Sequence, residues 1–142
     1  VGTGLPVFSL QPYESSFTGG VRTAVGDLTG DGVDDVVTAP GVGGGDRIVV
    51  FDGVTGGVIF DRTVLGDPNF RGGAYVAVGD VDGNGVNDLI VGAGEGGGPR
   101  VQVISGQSFA SGGVASFVLA DFFAYETTFR NGVRVAAGDL QG

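Results

Sequence analysis

The sequence predicts an all-β protein made of β-propeller blades of four antiparallel strands, two complete blades plus partial flanking blades. Three observations predict it. Glycine fills 31 of 142 positions, against a usual share of about 7%, and clusters between apolar runs with no G-X-Y period, as tight turns between short strands require. Valine dominates the apolar residues while leucine is scarce, a β-branched bias that favours strand. Most telling, the chain repeats itself. VRTAVGDLTGDGVDDVVTAPG (21–41) aligns without a gap to AYVAVGDVDGNGVNDLIVGAG (74–94), an offset of 53, and the match runs on from GGGDRIVVFDG (43–53) to GGGPRVQVISG (96–106). YETTFRNGVRVAAGDLQG (125–142) matches YESSFTGGVRTAVGDLTG (13–30) at an offset of 112. A repeat of about 55 residues holding four short strands is a blade. A sandwich also has many short strands, but it does not explain a gapless repeat.

The elements follow in order. Residues 21–26 are a valine-rich first strand with alternating partners. Residues 35–39 are short and nearly all apolar, a second strand buried on both faces. The GVGGGD cluster turns the chain into a third strand at 47–52, and DGVTGG makes a hairpin turn into a fourth at 57–65, since Asp-Gly and Gly-Gly supply the positive φ of such turns. The second repeat places its strands at 74–79, 88–92, 100–105 and 114–124. Residues 5–11 read as a fourth strand with no repeat before it, and 133–138 as a first strand with none after it. The domain organisation expected is 1–20 as the fourth strand of a preceding blade and connector, 21–65 as blade 1, 66–124 as blade 2, and 125–142 as the first strand of a following blade.

Charge narrows the partners. Sixteen acids stand against seven bases, all arginine, for a formal net charge of −9. Such a surface repels nucleic acid and anionic lipid, so neither is an expected partner. No apolar run approaches the ~18 residues of a membrane span. Zero Cys excludes a disulfide framework. The missing initiator Met suggests a processed or excised segment.

The loop after each first strand carries the candidate chemistry. In the first repeat, oxygens recur at every second position: Asp27, Thr29, Asp31, the carbonyl of Val33, and Asp35. In the second they are Asp80, Asp82, Asn84, the carbonyl of Val86, and Asp88. Glycines at 30, 32, 83 and 85 let the chain curl around a point. Hard oxygen ligands without nitrogen or sulfur select Ca²⁺ over zinc or copper, so two ions are expected, one per complete loop. The spacing copies the front of the EF-hand loop, D-x-[DN]-x-[DN]-G. Its twelfth position, however, is Thr38 or Val91 instead of Glu, so Asp35 and Asp88 would close the cage at the ninth. Asp-Gly and Asn-Gly pairs also make plain turns, but two copies with an oxygen side chain in every slot favour an ion.

The pattern D-x-[DTN]-G-[DN]-G-x-x-D, followed by an apolar strand ending in TAPG or VGAG, resembles the FG-GAP/VCBS repeats of integrin α-subunit propellers and of many secreted bacterial proteins. The GxGGGPRVxV and FFAYE segments are similar to those of large bacterial cell-surface proteins with tandem blades. The resemblance implies an extracellular, secreted or cell-surface location and a loop that binds Ca²⁺ between the first two strands of each blade. Thr29 departs from the pattern by replacing an acid, and Asp139 in GDLQG has too few companions to hold a metal.

Catalysis finds no support. Without His or Cys there is no ordinary nucleophile–base pair, and adjacent Asp34 and Asp35 would point to opposite faces of a strand. The glycine clusters lack the following Lys and helix of a phosphate cradle. Arg47 and Arg100 hold equivalent positions, as do Arg22 and Arg134, and are expected to pair with carboxylates or carbonyls of a neighbouring blade. Phe17, Phe70 and Phe129 share one repeat position and should pack between blades. Tyr13, Tyr75 and Tyr125 could stack on sugar rings, but more simply cover the core edge. The function expected is therefore a non-catalytic Ca²⁺-binding module serving structure, adhesion or self-assembly, with a lectin-like, carbohydrate-binding propeller as the alternative. Two blades cannot close a ring of about 4–8, so the expected partners are neighbouring blades or copies of the chain itself, in a ring, an open fibre or a longer array.

Overall fold

The computed structural model describes residues 9–110 and 118–139. It contains two four-stranded antiparallel sheets, each built from one repeat. The first holds β1 (Val21–Gly26), β2 (Asp35–Pro40), β3 (Arg47–Phe51) and β4 (Val58–Thr63) in the order β1-β2-β3-β4. The second holds β5 (Ala74–Gly79), β6 (Asp88–Ala93), β7 (Arg100–Ile104) and β8 (Val118–Phe123) in the order β5-β6-β7-β8. The registers repeat as well. Gly26 pairs with Asp35 and Gly79 with Asp88 at the loop end, and the outer ladder shifts between Val50 and Phe51 in one sheet and between Val103 and Ile104 in the other.

Local chemistry sets the strand ends. The fourth strand stops at Thr63, short of the expected 65, because Asp46 captures the next amides: Val64 N donates to its carbonyl, and Leu65 N and Gly66 N to its Oδ2. The turn after β3 is held by Asp52, whose Oδ2 accepts from both Thr55 N and Thr55 Oγ. In the second repeat that turn is replaced by a short helix, α1 (Gln107–Ala110), which the sequence reading did not foresee. Ser105 starts it, accepting from Gln107 N through its hydroxyl, the role of an N-cap. Residues 114–117 of the expected last strand lie outside the described residues.

Of the two expected flanking strands, 5–11 lies mostly outside the described residues, and 133–138 needs correction. Residues 5–8 lie outside the described residues, and 9–11 form no strand. Residues 133–138 form none either. A strand exists through its ladder, and β1 and β5 each pair with the second strand of their own repeat. Among the described residues, 133–138 has no second strand of its own repeat beside it. The segment is nevertheless placed as a first strand would be: Val133 N donates to Ala93 O at 2.8 Å, and Val133 is buried against Ala77 and Ile90.

The main core lies between the sheets. Val37, Ile48, Val50 and Phe60 of the first sheet meet Leu89, Val91 and Ile104 of the second, with Leu65 and Phe70 from the connector. Phe109 of α1 packs on Phe60, ring centroids 5.2 Å apart. The seam is tight enough to need glycine at 73: its φ is +72° and a Cβ there would lie 2.3 Å from Pro40 O. A smaller cluster on the far side of the first sheet joins Tyr13 to Val49 and Phe51.

Tyr13 generates a pH prediction. Its hydroxyl donates to Arg47 O at 2.8 Å, and burial, opposed by Thr38 and Arg47, pushes its pKa from 10.0 to about 12. The folded state therefore keeps a proton that the unfolded chain loses first, so this stabilisation is complete below pH 10 and declines as pH rises toward 12. Urea unfolding at pH 9 and 11 should show Tyr13→Phe removing about 1 kcal/mol of the alkaline loss, from about 1.4 kcal/mol per unit of pKa shift; equal slopes in both proteins would contradict it.

Candidate metal-binding loops

The two acidic loops hang from the same end of the two sheets, 27–35 joining β1 to β2 and 80–88 joining β5 to β6. Their first and last residues shape them. Asp27 Oδ1 accepts from Gly30 N (2.7 Å) and Asp31 N (3.2 Å), and its Oδ2 from Gly32 N (2.8 Å). Asp80 repeats the arrangement with Gly83 N (2.8 Å), Asn84 N (3.1 Å) and Gly85 N (2.8 Å). An aspartate can gather three consecutive amides only if the chain curls, and Gly30, Gly32, Gly83 and Gly85 supply that curl with φ between 76° and 88°. Desolvation works against the charge of Asp27, but the amides of Gly32, Gly30 and Asp31 and the Thr29 hydroxyl together lower its pKa. The Gly85 amide, with Gly83 and Asn84, does the same for Asp80. Both carboxylates stay ionised into acid, and the stability they add is lost only as pH falls through these lowered values.

Asp35 and Asp88 are wholly buried and clamp the loops from inside. Asp35 Oδ2 accepts from Leu28 N (2.8 Å) and Thr29 N (3.1 Å), and its Oδ1 from Gly53 N (3.0 Å). Asp88 Oδ2 accepts from Val81 N (2.8 Å) and its Oδ1 from Gly106 N (2.9 Å). Each clamp thus ties its loop to the turn after the third strand. Those turns approach so closely that a Cβ on Gly53 or Gly106 would lie 1.9 Å from Asp34 O or Asn87 O.

The remaining positions differ between the loops. Asp80, Asp82 and Asp88 bring one carboxylate oxygen each within 4.8 Å of one another, and among the described residues no other acidic group is so gathered. Asn84 lies beside them, its N and Nδ2 donating to Asp82 Oδ1 and Oδ2 at 3.1 and 3.2 Å. In the first loop Thr29 replaces the second acid, and its hydroxyl turns to Asp27 Oδ1 at 3.4 Å. Asp31 instead accepts from Val33 N, as Asn84 accepts from Val86 N. Val33 and Val86 thus hold the seventh positions, where their carbonyls were expected to serve. An ionised carboxylate offers about four lone-pair sites; Asp35 commits three of them to amides and Asp88 two, which leaves the second loop more acceptor capacity. Three carboxylates this close repel one another by on the order of 1 kcal/mol or more per pair at intermediate dielectric, and a hard divalent cation relieves that. The donor set fits Ca²⁺.

The other candidates have structural partners. Arg47 forks onto Asp61 (2.7 and 2.8 Å) and Arg100 onto Asp121 (2.8 and 2.6 Å), each pair bridging the third and fourth strands of its own sheet. Each arginine also reaches the connector before its own sheet, Arg47 at Glu14 Oε1 (3.5 Å) and Arg100 at Leu65 O. Phe70 is buried in the main core, Phe17 lies 6.0 Å from the Tyr13 ring and Phe129 5.1 Å from Tyr125. Asp34 is exposed while Asp35 is buried, so the two form no catalytic couple. The sequence reading missed Glu95, which accepts from Tyr75 Oη at 2.6 Å, and Asn87, whose side chain donates to Asp27 O at 3.1 Å. Both are places where the two repeats differ, Glu95 standing for Val42 and Asn87 for Asp34.

Clamp and cage predict different mutant behaviour. Asp88→Ala strands the buried Gly106 amide and the partly buried Val81 amide and should cost roughly 2–4 kcal/mol even in chelator, since hydrogen bonds to a charged group contribute about 1.5–3 kcal/mol each. Asp82→Ala should leave chelator stability within about 0.5 kcal/mol and remove only a Ca²⁺-dependent increment. Urea unfolding with and without Ca²⁺ separates the two.

Comparison with known proteins places this geometry. Residues 72–112 match the family described as FG-GAP repeat. No curated protein and no solved structure gives a significant match. The matched stretch holds β5, the 80–88 loop, β6 and β7, and the first repeat follows it at an offset of 53 without a gap. The chain carries an FG-GAP repeat at residues 72–112.

Proposed function

We propose that the chain is a non-catalytic, Ca²⁺-binding repeat module of an extracellular or cell-surface protein, its two sheets being successive blades of a β-propeller. The observation that carries the reading is the gathering of Asp80, Asp82 and Asp88 within 4.8 Å, inside the segment that matches the FG-GAP repeat. Ca²⁺ is structural here. It joins loop residues that already converge and ties β5 to β6 at the end where Gly79 pairs with Asp88. The ligands are Asp80, Asp82, Asn84, the Val86 carbonyl and Asp88 in one loop, and Asp27, Thr29, Asp31, the Val33 carbonyl and Asp35 in the other. Two ions would take the formal charge from −9 to −5. The sheets' neighbours are further sheets of the same repeat, which serve structure, adhesion or assembly. No helix among the described residues is long and apolar enough to cross a membrane. Tyr13 is buried and Tyr75 is hydrogen-bonded to Glu95, so two of the three tyrosines are committed to packing and not to sugar.

Thermal unfolding in Ca²⁺ and in chelator tests the reading. An ion bound only by the folded state stabilises by about 2.7 kcal/mol at one hundred times Kd, which should raise Tm by about 5–10 °C; an unchanged Tm would refute it. The two sites should also differ. Thr29 is a weaker ligand than Asp82 and Asp35 is more committed than Asp88, so the 80–88 site is the tighter one. Calorimetric Ca²⁺ titration of Asp27→Ala and Asp80→Ala should show the high-affinity event lost in Asp80→Ala and kept in Asp27→Ala.

A further inference from the structure

We propose that the open face of the second sheet is a docking surface for a further four-stranded sheet of the second-repeat type, one with an amide donor at the position of Asn87. The proposal rests on the repeat-array reading and goes beyond it by naming the partner's chemistry. Ile90, Val101, Val103, Ala120 and Phe122 line one wall of a cleft of about 1080 Å³, and residues 134–139 line the other; Ile90, Val101 and Val103 are already buried with Val133 and Val135, while Phe122 stays 48% exposed at the part of the face left uncovered. The equivalent face of the first sheet is covered by the second: Val37, Ile48, Val50 and Phe60 all lie in the core between them. The contrast is sharpest at the loops, where Leu28 is 0% exposed and its counterpart Val81 is 53% exposed.

The next packing step has already begun. A Cβ on Gly26 would meet Val78 Cγ1 at 2.5 Å, and one on Gly79 would meet Ala137 Cβ at 2.5 Å. Gly43 N donates to Arg71 O and Gly96 N to Arg130 O, both at 2.7 Å. The second sheet therefore offers the cleft what the first sheet offers the second. Continuity with this internal interface says how the partner sits.

It also says which partner fits. Across the internal interface Asn87 Nδ2 donates to Asp27 O at 3.1 Å, so a docked sheet brings its equivalent residue to Asp80 O. A second-repeat sheet brings Asn. A first-repeat sheet brings the counterpart of Asp34, an acceptor with no proton to give, beside the carboxylates of Asp80 and Asp82. The apolar surface agrees: where the second repeat buries Val91 against its neighbour, the first has Thr38, whose hydroxyl is spent on Val49 O. A second copy of the chain docking through its first sheet is thus mismatched.

The chain has no Cys, so Val81→Cys provides a unique thiol reporter. Two extended chains complete the third repeat in register, one adding residues 84–124 after Gly142 and the other adding residues 31–65. With 84–124 added, the introduced thiol should react with a thiol reagent about tenfold more slowly than in the unextended chain, because reaction then requires local opening. Adding 31–65, or placing Asn87→Asp in the added copy, should protect it by less than about threefold, the mark of a mismatched partner. An added segment without extra strand signal in circular dichroism overturns the repeat-array reading itself. A folded third sheet with the thiol still fully reactive overturns the docking face alone, and equal protection by both additions overturns the partner's identity. Concentration-dependent protection in the unextended chain, with dimers in sedimentation, assigns the face to a second copy and also overturns the proposal. Ala120→Cys on the same face is the second reporter if Val81→Cys fails to fold.

Discussion

A buried carboxylate at the start of each second strand is the constraint on which the rest depends. Asp35 and Asp88 have no exposure, and a charge in that position is tolerated only when hydrogen bonds replace its water. The replacement comes from opposite directions in the chain: the acidic loop on one side, at Leu28 and Thr29 or at Val81, and the turn after the third strand on the other, at Gly53 or Gly106. One side chain therefore fixes where the loop begins, where the second strand begins, and how closely the far turn approaches. Glycine at 53 and 106 follows from that approach. In the second loop, pinned in this way at both ends, Asp80, Asp82 and Asp88 are also held within 4.8 Å of one another.

The second layer of organisation is the step from sheet to sheet. Gly43 N donates to Arg71 O and Gly96 N to Arg130 O, each at 2.7 Å, so the loop after each second strand reaches the segment that leads into the following repeat. With such contacts recurring, successive sheets are related by one repeated operation, the basis of radial and linear repeat architectures alike. Stability then comes from faces that no single repeat can bury alone, and so the deepest packing lies between the sheets.

Most of this was legible in the sequence for a physical reason: a repeat displays its constraints more than once. Seven of the eight strands lie where valine runs between glycine clusters said they would, with ends moved by no more than two residues, and β8 lies inside its expected span. The loops stood out because an oxygen side chain recurs at every second position in both repeats, and the structure gathers Asp80, Asp82 and Asp88 in the second. What escaped was whatever one repeat does differently. Helix α1 replaces a hairpin turn because Ser105 caps it, and a lone serine carries little signal. Asp46 ends β4 by catching two amides, yet its counterpart is Pro99, so no recurrence marked it. The 133–138 segment kept the sequence of a strand but lacks the ladder that makes one.

Repetition also creates a problem that the sequence solves. Packing successive repeats brings equivalent positions face to face, so a charge that recurred in every repeat would meet its own kind. The column at 22, 75 and 134 shows the remedy, holding Arg, Tyr and Arg in turn. The Arg22 guanidinium sits 4.0 Å from the Tyr75 ring centre and that of Arg134 sits 5.0 Å from it, so the aromatic ring parts two cations and attracts both. Glu95, unique to the second repeat, completes the cluster. It accepts from Tyr75 Oη and lies 3.6 and 3.4 Å from the Arg22 and Arg134 nitrogens. The change from Asp34 to Asn87 is the acidic form of the same remedy. It removes a carboxylate where one loop leans on the next and puts a donor there, on Asp27 O. A perfect repeat would be easier to recognise in a sequence, but it would be harder to stack.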